Sequence, residues 1–185
     1  FAETEVLSLR TRLMVDWGRM ITLCLETADT WGSMGHVLTH EMFNRGTLAL
    51  LEGHDSAIEK ALGARLPATV QASKAYQGSP RLIVPGRRSV TDPGEELSLK
   101  VIVLDNRPPK SASLHWRRMG QGRWHSLPLR HVERAVYAVM LPAAGAESLE
   151  YYIEADTVGG VKLRWPATAP KLNQTVVEIP SKRTP

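Results

Sequence analysis

The sequence predicts an α+β chain, a helical segment followed by an antiparallel β-sandwich. Three observations carry this. Proline is absent from residues 1–66, and eleven of the twelve prolines lie from Pro80 onward. Residues 1–80 hold 7 Lys/Arg and 9 Asp/Glu, net −2, while residues 81–185 hold 16 and 10, net +6. Apolar residues recur at helical spacing in the first part and alternate in the second.

The helical segment spans 1–63. Val6, Leu9, Leu13, Trp17, Met20, Cys24 and Ala28 form one stripe, and Leu7, Met14, Ile21 and Leu25 form another. Arg10, Asp16, Arg19 and Glu26 occupy the remainder. A second helix is expected over Val37–Glu52, stopped by Gly53. A third is expected over Ser56–Leu62, capped by Asp55 and stopped by Gly63. About three helices of this size do not bury both stripes of the first. We therefore expect its free face to meet an upstream domain or a partner subunit, and the chain to be the tail of something longer. Residues 64–80, small and polar, read as a linker.

Residues 81–180 read as the sandwich. Strands are expected over Arg81–Val84, Leu97–Leu104, Ser113–Met119, Trp124–Leu129, Ala135–Leu141, Leu149–Ala155, Val161–Trp165 and Thr175–Ile179. Seven or eight short strands with turns such as DPG, GQG and GG fit two packed antiparallel sheets. Alternation places Leu114 and Trp116 inward, with His115 and Arg117 outward. It places Leu149, Tyr151, Ile153 and Ala155 on one face, and Glu150, Tyr152 and Glu154 on the other. In VYAVM, Val136, Ala138 and Met140 are taken as the inward set, though Tyr137 and Val139 are partly apolar too.

Composition excludes several classes. Cys24 is the single cysteine, so no internal disulfide framework exists. No run of 18 apolar residues predicts a membrane span. No glycine-rich phosphate loop or Ser-His-Asp pattern is identifiable. The basic excess at Arg87, Arg88, Arg107, Lys110, Arg117, Arg118, Arg123, Arg130 and Arg134 comes without a nucleic-acid motif, so a dispersed solvated surface is expected. His36 and His40 share a helix face, and His54 would be a third ligand. His40-Glu41 lacks the following His of the zinc-protease motif, and no metal or cofactor is expected. Glu26, Asp29, Glu41 and Asn44 flank Trp31, a setting that suits sugar chemistry, but helix capping and packing explain them better. Catalytic residues stay unassigned. Trp124, Trp165, Tyr152 and His115 are the candidate carbohydrate-binding side chains, because sugar C–H faces stack on exposed aromatics.

The run LPAAGAESLEYYIEAD resembles the corner and penultimate strand of a fibronectin type III or immunoglobulin-like sandwich, with Tyr151 at the position of its corner tyrosine. Helices, a linker, then WRRMGQGRWHSLPL and LRWPATAPKLNQTVVEI resemble in layout the C-terminal accessory domains of bacterial multidomain glycoside hydrolases. That resemblance implies a non-catalytic fragment of a carbohydrate-active enzyme. In it the sandwich braces the catalytic domain and contacts polysaccharide, in a secreted or periplasmic setting. A stand-alone carbohydrate-binding module, or a protein-interaction sandwich with a helical oligomerisation element, stays open as an alternative.

Overall fold

The computed structural model describes residues 2–30, 32–33, 53–70, 76–145 and 147–179. The chain divides into two compact units, Phe1–Gly78 and Ser79–Pro185. It is an α+β protein whose second unit is a mostly antiparallel β fold, consistent with a β-sandwich.

The first unit is built on α1, Ala2–Thr27. The helix ends where the Thr27 hydroxyl turns back onto the carbonyls of Leu23 and Cys24. Residues 53–62 are also helical, and Ala68–Val70 form a 3-10 turn. Among the described residues there are thus two α-helical runs longer than a turn rather than about three; residues 32–33 are helical as well. The helix expected over Val37–Glu52 lies outside the described residues, as do His36, His40, Glu41, Asn44 and Trp31. Gly53 does not stop a helix and Asp55 does not cap one, because both are inside the helical run. Gly63 follows that run with φ +68°, the left-handed geometry of a helix stop.

Arg10 is the polar hub of this unit. Although charged, it is only 7% exposed. Its Nη2 meets Asp55 Oδ1 at 2.5 Å, and its Nε donates to the Val70 carbonyl at 3.4 Å. One guanidinium so ties α1 to the helical run and to the 3-10 turn, which is how a buried charge is tolerated. The apolar stripe behaves the opposite way. Met14 and Ala28 are buried, but Leu9 is 63% and Leu13 41% exposed. Among the described residues no helix is long and apolar enough to cross a membrane.

Among its described residues the second unit holds ten strands: β1 (Arg81–Ile83), β2 (Val90–Thr91), β3 (Leu97–Leu104), β4 (Ser111–Arg118), β5 (His125–Pro128), β6 (Arg130–Glu133), β7 (Val136–Leu141), β8 (Leu149–Asp156), β9 (Lys162–Trp165) and β10 (Gln174–Glu178). One sheet runs β1-β3-β7-β6. The other runs β2-β10-β8-β4-β5, with β9 also on β8. All pairings are antiparallel except β2 with β10. β2 and β6 are short strands that sequence patterning does not reveal.

Both sheets turn apolar faces to one core. Leu82, Leu97, Leu99, Val101, Val103, Tyr137 and Leu141 come from the smaller sheet; Leu114, Leu149, Tyr151, Ile153, Ala155 and Val176 come from the larger. Strand β8 alternates buried and half-buried residues along its whole length, as LEYYIEAD dictates. The inward set of β7 is reversed from expectation. Tyr137, Val139 and Leu141 pair with Val101, Leu99 and Leu97, whose side chains are core, while Met140 is exposed. Directly opposed residues share a face, so the register with β3 decides where both faces of a strand are apolar.

Candidate functional site

Strands β4, β5, β8 and β9 present one solvent-facing surface. It is built row by row from strand register. His115 opposes Tyr152, Arg117 opposes Glu150, and Glu154 opposes Arg164. Extending the β4–β5 register one pair beyond Trp116 and His125 brings Trp124 beside Arg117.

Aromatic rings occupy the middle of this face. His115 stacks on Tyr152 with centroids 4.7 Å apart and planes 15° apart. Trp124 meets Tyr152 edge-on at 4.9 Å and 75°. The Arg117 guanidinium lies 4.4 Å from the Trp124 ring centre, a cation–π contact. Burial in this cluster lowers the His115 pKa, with Glu154 opposing the shift and Lys162 and Arg164 reinforcing it. Burial also raises that of Tyr152, helped by Glu154. The imidazole is therefore neutral in the folded chain at neutral pH, and it presents one donor and one acceptor.

Planar polar groups flank the rings. Arg117 Nε donates to Glu150 Oε1 at 2.7 Å, and Asn173 Nδ2 donates to Glu150 Oε2 at 2.6 Å. Glu154 is clasped by Lys162 Nζ at 2.6 Å and Arg164 Nε at 2.8 Å. Burial pushes the Glu154 carboxyl up, but those two charged hydrogen bonds outweigh it and its pKa is lowered. Lys162 also reaches Asp156 at 2.9 Å.

Three of the four aromatic residues singled out from sequence thus come together: His115, Tyr152 and Trp124. Trp165 does not join them. It packs against the core, with its ring 6.1 Å from that of Tyr151. It shares strand parity with Leu163, which also packs inward, and that parity overrides its place at a strand end. Arg117, Glu150 and Asn173 belong to the same face without having been candidates; alternation of charge opposite charge on β4 and β8 was the available signal.

Tyr151 also departs from expectation. It is fully buried, and its hydroxyl has no hydrogen-bond partner, so it does not make the backbone bond of a corner tyrosine. In the first unit, the Asp29 carboxylate accepts from the Ser33 hydroxyl at 3.1 Å, and that hydroxyl also accepts from the Asp29 and Thr30 amides. This is a local turn motif. His54 is exposed. Among the described residues no group of three or more His, Cys, Asp or Glu is placed to hold a metal ion.

No protein-family model matches the chain. No curated protein matches it either. Among solved structures, the crystal structure of an engineered protein aligns with 62% of this chain at 12% identity and a TM-score of 0.41. The chain spans 23% of that protein's length.

Proposed function

We propose that the second unit is an immunoglobulin- or fibronectin-like sandwich serving as a non-catalytic accessory module of a carbohydrate-active enzyme. In this reading the His115–Tyr152–Trp124 face touches glycan. The strand order supports the fold. The orders β1-β3-β7-β6 and β10-β8-β4 correspond to strands ABED and GFC of the immunoglobulin architecture.

The observation that carries the function is the aromatic cluster ringed by Arg117, Glu150 and Asn173 on a single solvent-facing sheet. Aromatic rings take the apolar faces of a pyranose, and planar guanidinium, carboxylate and amide groups take its hydroxyls. Binding is favoured over hydrolysis because Glu150 and Glu154 are both held by cations. A glycosidase needs one carboxyl kept protonated and the other free to act as base or nucleophile. The bracing role is supported by the exposed Leu9, Leu13, Val15 and Leu23 on α1, which suit a helix packed against further protein.

Affinity electrophoresis of the whole chain through gels containing soluble neutral polysaccharides tests this. Retardation by at least one is expected. Trp124→Ala and Tyr152→Ala are expected to weaken it at least tenfold with circular dichroism unchanged. A chain that no polysaccharide retards would overturn the proposal.

A further inference from the structure

A second polar feature lies away from the aromatic face, where the β3–β4 loop meets the β6–β7 turn. Here a cleft of about 140 Å³ is lined by Asp105, Asn106, Arg107, Pro108, Arg134 and Tyr137, among others. Its walls are fixed by backbone. Val103 N donates to the Ala135 carbonyl at 2.9 Å, and Lys110 N donates to the Asp156 carbonyl at 2.8 Å. Its floor is apolar, because Tyr137 belongs to the core.

The charges in this cleft are unbalanced. Two arginines and one aspartate line it, and the Asp105 carboxylate already accepts from the Asn106 amide at 2.7 Å. Elsewhere in the unit Arg88, Arg117, Arg118, Lys162 and Arg164 all hold acidic partners. Among the described residues no ion pair engages Arg107 or Arg134. Arg134 also sits at φ 47°, a turn conformation that Gly or Asn adopts at less cost. His131 Nε2, 2.8 Å from the Arg134 carbonyl, steadies that turn.

We propose that this cleft binds the carboxylate of an acidic sugar, with Arg107 and Arg134 as its cationic clamp and the Tyr137 side as its apolar floor. A guanidinium pairs a carboxylate through two parallel hydrogen bonds. The proposal deepens the glycan reading, on which it rests, by adding a uronic acid subsite at one end of the sheets.

Galacturonate, added to the isotope-labelled whole chain, is expected to shift the amide signals of residues 105–107 and 134–137. Galactose is expected not to. Arg107→Gln and Arg134→Gln are each expected to weaken galacturonate binding at least tenfold. Arg123→Gln, which removes the same charge from a position outside the cleft lining, is expected to leave it unchanged. Equal weakening by Arg123→Gln, shifts with galactose, or displacement by an equal concentration of inorganic sulfate would overturn the proposal. Retardation on neutral polysaccharide, which Trp124→Ala is expected to weaken, is expected to survive Arg107→Gln. Loss of galacturonate binding alone therefore removes this subsite and leaves the glycan face standing.

Discussion

His115 and Tyr152 stack face to face across β4 and β8, centroids 4.7 Å apart. The stack withdraws the imidazole from water, and burial is the largest influence lowering its pKa from the usual 6.5.

A pH dependence follows. The unfolded chain takes up the His115 proton at higher pH than the folded chain does. The stability contribution is therefore full above about pH 6.5 and lost as pH falls from there through the lower folded value. Thermal melts are expected to show this decline, and His115→Gln is expected to lessen it. Titration of the His115 ring signals by NMR should give a midpoint below 6.5. A midpoint above that value would contradict the stacking account.

The two tryptophans that sequence grouped together should separate on mutation. Trp165→Ala removes a core contact and is expected to cost about 3 kcal/mol. Trp124→Ala loses an edge-on ring contact and a cation–π contact, and is expected to cost about 1 kcal/mol. Only the second should weaken glycan retardation. Urea denaturation and affinity electrophoresis on the same pair of variants check this.

Tyr151 carries a fully buried hydroxyl without a partner. Removing such a group relieves its desolvation cost. Tyr151→Phe is expected to change stability by less than about 0.5 kcal/mol, or to raise it. Tyr151→Ala empties the core and is expected to cost about 3–5 kcal/mol. A marked loss in the phenylalanine variant would restore the corner-tyrosine role.

Gly145 sits at φ +68°, and a Cβ there would lie 3.0 Å from Arg118 Nη1. That nitrogen donates to the Ala144 carbonyl at 2.7 Å, while Gly145 N donates to Glu178. Gly145→Ala is expected to cost about 1–2 kcal/mol for the backbone, plus whatever the Arg118 bond loses. Gly94→Ala, at φ +75° with open space around it, isolates the backbone part. Denaturation midpoints of the two variants should differ, with Gly145→Ala the less stable.

Where one face of a strand is apolar and the other polar, sequence alone determined the outcome. LEYYIEAD and SLHWRR alternate cleanly, so Ile153 and Leu114 face the core, and Tyr152 and His115 face solvent. The bounds of β3 were legible too, its first half by alternation and its second half as a continuous apolar run buried on both faces. Tertiary structure decided the rest. In VYAVML both faces are apolar, and only pairing with Leu97, Leu99 and Val101 of β3 turns Tyr137 inward. On α1, periodicity put Arg10 outside both apolar stripes, yet it is buried, because Asp55 and the Val70 carbonyl supply partners from distant sequence. The site follows the same division. Periodicity of two exposes His115 and Tyr152, but only the β4–β5 and β4–β8 registers bring Trp124, Arg117 and Glu150 to them. Local side-chain direction is a property of one strand. Adjacency is a property of which strands pair, and long-range hydrogen bonding sets that.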